Sequence, residues 1–314
     1  MIFDRRAIPA DASVFMTPAR DGWPLRTYYQ PARNAGEGKR GGSILWLGGR
    51  GDIFEKYLES FDAWTSGGRS VTSFDWRGQG GSGRLGTDPR VGHVDDFATW
   101  IDDLAAFFDG WRAREPGPHF VIGHSMGGHL LLRALAEKRI SPTAAILSAP
   151  MLGFNTGPLP FALAAWIASL MARHTGSHHA AWKTNERPSL PRASRQDLLT
   201  HDYARYSDEL WWKKQDPSLA LGPPSWTWLD AAYRSINELR KADILEQVDV
   251  PLLVIGTEGD KLVSPHAIHI FTARLKHATL VMLPKDAAHE ILREVDRHRR
   301  RAMQEISAFM DLQR

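Results

Sequence analysis

The chain has 314 residues, with 39 basic and 36 acidic side chains and no cysteine. A formal charge of +3 is too balanced to predict a nucleic-acid partner. The absence of cysteine excludes disulfide bonds, thiolate metal sites and cysteine nucleophiles, so the chemistry must use oxygen and imidazole groups. The length accommodates either one large α/β domain with an insertion or two smaller domains.

Strand patterns recur along most of the chain. Residues 13–18 and 25–30 flank a turn sequence, Arg20-Asp21-Gly22, and predict an antiparallel edge. Apolar runs typical of buried strands follow at 43–47, 70–75, 119–122, 144–147, 252–256 and 279–282. Because helix-length segments separate most of these runs, the sequence predicts an α/β fold with a mostly parallel central sheet flanked by helices.

The alternation of strands and helices stops between residues 151 and 240. This stretch is rich in tryptophan and in helical pieces punctuated by proline. We therefore predict a helical cap at 151–240, inserted before the last two strands of a core formed by 1–150 and 241–314. Its apolar run, 159–172, is shorter than the roughly 20 residues that span a bilayer. The N-terminus lacks a signal-peptide pattern, so the expected location is cytoplasmic.

One motif bears directly on chemistry. A Gly-x-Ser-x-Gly run centred on Ser125 follows a short apolar strand and precedes an apolar helix. In that context a serine sits on a sharp turn with its hydroxyl exposed, and Gly123 and Gly127 leave room for the turn. The sequence therefore predicts Ser125 as a catalytic nucleophile at a helix N-terminus, where backbone amides can face a developing oxyanion. A glycine-rich turn of purely structural role is the alternative.

A serine nucleophile needs a base, and a third group that holds the base in one tautomer. On sheets of this kind the three follow in the order Ser, Asp or Glu, His. We predict Asp260, in the loop after strand 252–256, as the acid and His289, after strand 279–282 and at the start of the final helix, as the base. Glu258 is the rival acid. The rival histidines, which have less suitable positions, are His124, His129, His266, His269 and His277.

The tetrahedral intermediate also needs hydrogen-bond donors. We predict the backbone N–H of Met126, directly after the nucleophile, and the N–H of Arg50 in the glycine-rich loop after strand 43–47. An ordinary strand-to-helix turn is the alternative role for that loop. No metal is predicted, because the histidines at 174, 178 and 179 have no carboxylate partner with ligand-like spacing. No organic cofactor is predicted either, since acyl transfer through a serine needs none.

Several stretches carry a family resemblance. They are 49–57, 75–83, 123–128 and the loops of Asp260 and His289. In these stretches the chain resembles the α/β-hydrolase superfamily, and within it the lysophospholipase and monoacylglycerol-lipase-like serine hydrolases. The resemblance implies the α/β-hydrolase fold, the Ser125–His289–Asp260 triad and carboxylic ester hydrolysis. Members usually carry His-Gly before the oxyanion loop, whereas this chain has Gly48-Gly49, which lacks a side chain that helps to shape the turn.

The composition of the cap bears on the substrate. Its tryptophans favour an acyl chain or another apolar group, and we predict Leu163 and Trp166, on an apolar stripe with helical spacing, as substrate-binding residues. Packing within the cap is the alternative role for the stripe, and a transient contact with a membrane surface is a third. The expected substrate is thus a lipid-like ester, such as a lysophospholipid or a monoacylglycerol. No oligomeric state is predicted.

Two other functions remain open at this point. The same triad serves an amidase or an N-terminal peptidase, which would need acidic side chains in the pocket to bind a free amine. Glu186, Asp202 and Glu209 are the candidates within the predicted cap. A non-enzymatic binding protein on a hydrolase scaffold is the second, and the presence of all three triad residues in order argues against it.

Overall fold

A computed structural model describes residues 3–33, 41–175, 178–182 and 195–313. These residues form a single eight-stranded sheet with the strand order β1-β2-β4-β3-β5-β6-β7-β8. The strands are β1 (Ser13–Pro18), β2 (Pro24–Gln30), β3 (Ser43–Leu47), β4 (Ser70–Phe74), β5 (His119–His124), β6 (Ala144–Ser148), β7 (Leu252–Thr257) and β8 (Ala278–Leu283). Every predicted strand is present, and the observed ends differ from the predicted ends by two residues or fewer.

The sheet is parallel except at one edge. β1 pairs antiparallel with β2, and β2 pairs antiparallel with β4. All pairings from β4 through β3, β5, β6 and β7 to β8 are parallel. The strands in the middle of the sheet are buried along their whole length, as expected for parallel strands covered on both faces. The predicted α/β fold class is confirmed.

Helices cover both faces of the sheet. On one face α1 (Leu58–Ser66) and the C-terminal α9 (Asp296–Leu312) supply buried side chains to one apolar cluster. On the other face the cluster is larger, and α2 (Ala98–Arg114), α3 (Met126–Ala136) and α8 (Pro265–Ala273) contribute to it. Two packed layers on a parallel sheet account for the buried core and leave the loops at the carboxyl ends of the strands to build a site.

In its described residues, the segment between β6 and β7 has helices joined by loops and adds no strand to the sheet. It contains α4 (Phe161–His174), α5 (Arg195–Leu199), α6 (Tyr203–Gln215) and α7 (Trp226–Arg240). Helices α6 and α7 begin at side-chain N-caps, Asp202 and Ser225. The rings of Phe161 on α4 and Tyr233 on α7 pack edge to face, with their centroids 5.0 Å apart. None of the described helices is long and apolar enough to cross a membrane.

The prediction that His289 begins the final helix is wrong. His289 lies in the loop after β8, a short 3-10 helix follows at Ile291–Arg293, and α9 starts only at Asp296. Hydrogen bonds fix this loop: Ala288 N–H donates to Glu294 Oε1 at 2.8 Å, and Glu290 N–H donates to the carbonyl of Leu199 at 2.7 Å. The backbone amides around His289 therefore hold the loop in place and are not part of a regular helix.

Candidate active site

Ser125 sits on a strained turn between β5 and α3. Its backbone has φ 51° and ψ −115°, and residues other than glycine rarely adopt a positive φ. The turn presses against the loop after β3, because a Cβ placed on Gly127 would lie 2.4 Å from the carbonyl oxygen of Leu47. Glycine is therefore required at 127, and the strain directs the hydroxyl of Ser125 out of the sheet edge.

Ser125, His289 and Asp260 form one hydrogen-bonded line. Ser125 Oγ lies 2.9 Å from His289 Nε2, and His289 Nδ1 lies 2.6 Å from Asp260 Oδ2. Asp260 and His289 are 3% and 4% exposed, so both bonds are shielded from water. When Nδ1–H donates to the carboxylate, Nε2 is left as the acceptor for the serine hydroxyl. The geometry required for proton transfer from Ser125 is thus present.

The loops of Asp260 and His289 meet because one of them carries a glycine. A Cβ on Gly259 would lie 2.2 Å from the carbonyl oxygen of Lys285, which only glycine permits. The second oxygen of Asp260 accepts hydrogen bonds from the N–H groups of Leu262 at 2.8 Å and Val263 at 2.9 Å. These bonds orient the carboxylate, so Oδ2 faces the imidazole.

The rival residues lie in other environments. Glu258 is paired with His269 at 2.9 Å on the surface, and both side chains are exposed. His124 is buried with its ring 4.9 Å from that of His289, and its Nδ1 faces the carbonyl of Ser148 at 3.2 Å. Burial lowers the pKa of His124 to about 4, so this ring is neutral, and it packs beside the turn that carries Ser125.

The charge state of His289 depends on its neighbours. Burial alone lowers the pKa of an imidazole, but the carboxylate of Asp260 acts in the opposite direction by charge and by hydrogen bond, and Glu290 and Asp52 add to it. The net result is a pKa of His289 above its usual 6.5. The imidazolium formed when His289 accepts a proton is therefore stabilised.

The two predicted oxyanion donors, Met126 and Arg50, lie at the start of α3 and in the loop after β3. Met126 is the first residue of α3, where a backbone N–H has no acceptor within the helix. In the loop after β3, Gly49 N–H donates to Asp52 at 2.8 Å and Gly51 N–H donates to Gln79 at 2.6 Å. These two bonds fix the backbone on either side of Arg50, in a loop that has glycine at position 48. The contributions of Arg50 and Met126 remain predictions.

Sequence reasoning missed a set of buried ionic side chains beside the triad. Lys56 Nζ contacts Asp52, Glu290 at 2.6 Å and Glu209 at 3.3 Å. Glu209, on α6, is fully buried and also contacts Arg195 at 2.8 Å and Lys213 at 2.6 Å. We call this set the buried charge cluster, and its members are Asp52, Lys56, Arg195, Glu209, Lys213, Glu290 and Arg293.

The buried charge cluster connects the oxyanion loop, the His289 loop and the segment between β6 and β7. Burial raises the pKa of each of its carboxyls, but the neighbouring cations outweigh that effect and hold the pKa of Asp52, Glu209 and Glu290 below the usual range. Two signals were available in the sequence: Asp52 and Lys56 are four residues apart, and Glu290 directly follows the base. Neither signal identifies Glu209, which is distant in the chain.

A cavity of about 280 Å³ adjoins Ser125 and His289. Its apolar lining residues come from α4, α7 and the loops after β6 and β7, and we call this set the apolar side. The set includes Phe154, Leu159, Ala164, Ile167, Ala168, Trp226, Trp228, Leu229, Tyr233, Leu262 and Val263. The charged lining residues are Arg50, Asp52, Lys56, Arg195 and Glu290, and we call this set the charged side. The cavity therefore offers both apolar and charged groups to a bound molecule.

The structure does not bring the two predicted substrate-binding residues to this cavity. Leu163 and Trp166 lie on the outer face of α4, where they are 43% and 57% exposed. Their neighbours Ala164 and Ile167 line the cavity instead. Helical spacing thus identified a helix that lines the cavity, but the two residues chosen from its apolar stripe are exposed to solvent.

The acidic residues considered for binding a free amine are engaged elsewhere. Asp202 caps α6 and pairs with Arg205 at 2.7 Å, and Glu209 belongs to the buried charge cluster. Glu186 lies outside the described residues. Of the histidines considered for a metal, His178 packs against His93, with ring centroids 4.2 Å apart and ring planes tilted by 52°. Within the described ranges, no group of histidines and carboxylates has the arrangement of a metal site.

Comparison with known proteins identifies the family of the chain. The family model described as serine aminopeptidase, S33, matches residues 38–296. The chain belongs to this family of α/β-hydrolases. The matched region includes β3 through the loop of His289, and hence every element that positions Ser125, Asp260 and His289. The family resemblance inferred from the motifs is confirmed.

The relatives include proteins named as a lysophospholipase and a phospholipase. Lysophospholipase L2 of Escherichia coli K12 is 30% identical over 276 residues, which cover 84% of this chain and 78% of that protein. Phospholipase YtpA of Bacillus subtilis is 28% identical, over 81% of this chain and 90% of that protein. The structure of a Saccharomyces cerevisiae monoglyceride lipase variant with a substrate analogue aligns with a TM-score of 0.78 at 19% identity, covering 99% of this chain and 98% of that chain. This last likeness shows the fold alone.

Proposed function

We propose that this protein hydrolyses carboxylic esters with an apolar acyl chain, of the lysophospholipid or monoacylglycerol type. The observation that carries the proposal is the line from Ser125 through His289 to Asp260, which ends in a cavity with an apolar side. Relatives named lysophospholipase L2 and phospholipase YtpA support the same class of bond and substrate.

The mechanism follows from the geometry. Ser125 Oγ attacks the ester carbonyl while His289 Nε2 takes its proton, and Asp260 stabilises the imidazolium. The N–H groups of Met126 and Arg50 donate to the oxyanion. His289 then gives the proton to the leaving alcohol, and a water molecule, activated by the same imidazole, releases the fatty acid from Ser125.

We also propose that residues 151–240 act as a cap over the site, on a core formed by 1–150 and 241–314. In support, α4 and α7 of this range supply much of the apolar side of the cavity.

The same range includes an outward apolar face on α4, made of Leu163, Trp166 and Leu170, which are 43%, 57% and 36% exposed. We propose that this face touches a lipid surface transiently, so that a lipid ester reaches the cavity. The cytoplasmic location stays a prediction.

An amide or peptide substrate with a free amine is less well supported. Such a substrate needs a carboxylate in the cavity that is available to an ammonium group. Among the described residues, the carboxylates that line the cavity are Asp52 and Glu290, and both contact Lys56. Burial lowers the pKa of Lys56, but the charges of the neighbouring carboxylates outweigh burial and raise it, so this cation stays charged and paired with them. The ester is therefore the function that the site supports best.

The test is hydrolysis of p-nitrophenyl esters with acyl chains from two to sixteen carbons, by the wild type and by Ser125→Ala. We expect the highest kcat/KM for medium or long chains and a loss of about 10⁴-fold or more in the variant, as for other serine nucleophiles. A fluorophosphonate probe should label the wild type and not the variant. Equal turnover of acetyl and long-chain esters would refute the preference for apolar chains, and absence of both turnover and labelling would refute the serine esterase.

A further inference from the structure

A second cavity, of about 420 Å³, is lined by residues from the loop after β6, the start of α4, the end of α7 and α8. We call it the second cavity, and the cavity beside Ser125 the first cavity. No residue of the triad is among the described residues that line the second cavity, so it is separate from the reacting serine. Its volume lies within the roughly 300–1,000 Å³ that is typical of small-molecule sites.

The second cavity has an apolar set of lining residues. Phe154, Phe161, Ile270 and Phe271 belong to it, and Ile270 is 48% exposed. Phe154 also lines the first cavity, so the two cavities share this side chain as a wall. An apolar chain that covers such a lining removes apolar surface from water, which favours binding.

The ionisable side chains that line the second cavity are Arg240, Arg274 and His266, and its described lining residues include no carboxylate. The charge of Arg274 is balanced, because its guanidinium contacts the carboxylate of Glu246 at 2.9 Å. Arg274 also donates to the carbonyl of Lys241 at 2.8 Å, which holds it at the end of α7. Arg274 is therefore committed to contacts within the fold.

Arg240, the last residue of α7, is in a different position. Its guanidinium carbon lies 3.8 Å from the centroid of the Phe161 ring, a cation–π contact that places the cation at the second cavity. Burial lowers the pKa of Arg240, and among the described residues no carboxylate acts in the opposite direction. Because arginine stays charged at neutral pH, the second cavity offers an uncompensated positive charge beside an aromatic ring.

We propose that the second cavity binds a free fatty acid, with its carboxylate at Arg240 and its alkyl chain against Phe154, Ile270 and Phe271. A guanidinium and a carboxylate can form two parallel hydrogen bonds, and one carboxylate balances the one uncompensated charge. The ligand is bound there without reaction, because the triad lies outside the second cavity. Binding at this site goes beyond the proposed ester hydrolysis and does not depend on it, although the acid that this reaction releases belongs to the same class.

Calorimetric titration with decanoate, below its micelle concentration, tests the site, and 1-decanol is the neutral control. The full chain is first modified at Ser125 with a long-chain alkyl fluorophosphonate, so that the first cavity is filled. Arg240→Gln removes the charge, and Ile270→Asp adds a carboxylate to the lining at an exposed position. Arg234→Gln is the matched control, because Arg234 also lies on α7 but pairs with Asp96 at 2.9 Å and does not line the second cavity.

We expect one decanoate to bind per modified chain, about tenfold or more tightly than 1-decanol, the size of a charge-assisted hydrogen bond. Arg240→Gln should lose most of this difference, Ile270→Asp should weaken decanoate more than 1-decanol, and Arg234→Gln should bind both as the wild type does. Thermal unfolding establishes that each variant is folded.

Three results would overturn the proposal. They are the absence of decanoate binding to the modified wild type, equal affinity of the wild type for decanoate and 1-decanol, and wild-type affinity for decanoate in Arg240→Gln. The last result would leave Arg240 with the role of a cation that stabilises the C-terminal end of α7.

The same samples separate this site from the proposed function. Absence of decanoate binding to a modified chain that hydrolysed esters before modification would refute only the second site. Absence of esterase activity and of modification at Ser125 would instead refute the proposed function. The titration of the unmodified wild type and of Arg240→Gln would then still decide whether the acid binds at Arg240.

Discussion

The reacting side of the site, which consists of Ser125, His289 and Asp260, and the apolar side of the cavity are built from different kinds of structure. The reacting side comes from loops that follow β5, β7 and β8, and the parallel register of the sheet brings the ends of these strands to one edge. The apolar side comes largely from α4 and α7, which belong to the segment between β6 and β7. The position of the reacting atoms thus depends on the sheet, and the shape available to the acyl chain depends on inserted helices.

This difference separates two kinds of substitution. A change on the reacting side should alter the rate for every ester, because all substrates share the same carbonyl chemistry. A change on the inner faces of α4 and α7 should alter the preference among acyl chains and leave the chemistry of short esters nearly unchanged. The predictions below test this separation.

The largest effect is expected at Asp260. Asp260→Asn retains an oxygen that accepts the N–H groups of Leu262 and Val263, so the loop should keep its shape. The amide no longer holds His289 in the correct tautomer, and kcat should fall by about 10⁴-fold for short and long esters alike. Steady-state kinetics on p-nitrophenyl butyrate and palmitate check this.

Glu258→Gln is the matched control for Asp260→Asn, since it removes a carboxylate two residues away in the same loop. Glu258 pairs with His269 at the surface, and its loss should change kcat by less than about twofold. If Glu258→Gln abolished activity while Asp260→Asn kept it, the assignment of the triad acid would be wrong.

The next largest effect concerns the inner face of α4. Ile167 lines the cavity, and Ile167→Trp fills part of the space for the acyl chain. We expect kcat/KM for sixteen-carbon esters to fall by about tenfold or more, with short esters changed little and the chain-length optimum moved to shorter chains. The ester series used for the wild type measures this.

Leu163→Trp makes the corresponding change one helical turn earlier, on the outer face. Leu163 is 43% exposed and does not line the cavity, so the chain-length optimum should stay where it is in the wild type. A shift of the optimum in Leu163→Trp, and none in Ile167→Trp, would support the contact between Leu163 and the substrate that the sequence predicts.

Much of the fold could be predicted because buried parallel strands have a local signature. The runs 44–47 in β3 and 252–255 in β7 are continuously apolar and adjoin glycine or proline, and both strands are buried along their whole length. Gly123 and Gly127 indicate the sharp turn at Ser125 in the same way, since a close backbone approach leaves no room for a side chain. The positions of Asp260 and His289 after strands then follow from the topology.

The apolar side could not be assigned in the same way. The stripe on α4 has helical spacing, but periodicity shows which residues share a face and not what the face contacts. Leu159 and Ile167 line the cavity, whereas Leu163, Trp166 and Leu170 are exposed. The buried charge cluster was missed for a related reason, because Lys56, Glu209 and Glu290 are far apart in the chain and meet only in the folded protein.

A smaller effect should appear at the outer face of α4. Trp166→Ser removes a large exposed aromatic side chain that we place against lipid, and partitioning onto vesicles should fall by about three- to tenfold. Sedimentation of the protein with phospholipid vesicles measures this, with Tyr203→Ser on α6 as the control, since Tyr203 is an exposed aromatic on another helix. Equal loss in both variants would show that α4 has no special part in the contact.

The smallest effect is a change in pH dependence on the reacting side. His289 accepts a proton only when neutral, and its pKa lies above 6.5, so kcat/KM of the wild type should rise with pH through a midpoint above 6.5. Glu290 contributes to the raised pKa, so Glu290→Gln should lower the pKa of His289 and move this midpoint to lower pH. Glu258→Gln, the surface control, should leave the midpoint unchanged. A midpoint that moves to higher pH in Glu290→Gln would contradict the electrostatic role of the residue beside the base. The expected shift, together with an unchanged acyl-chain optimum, would show that the pH dependence of the reacting side and the acyl-chain preference of the apolar side change independently.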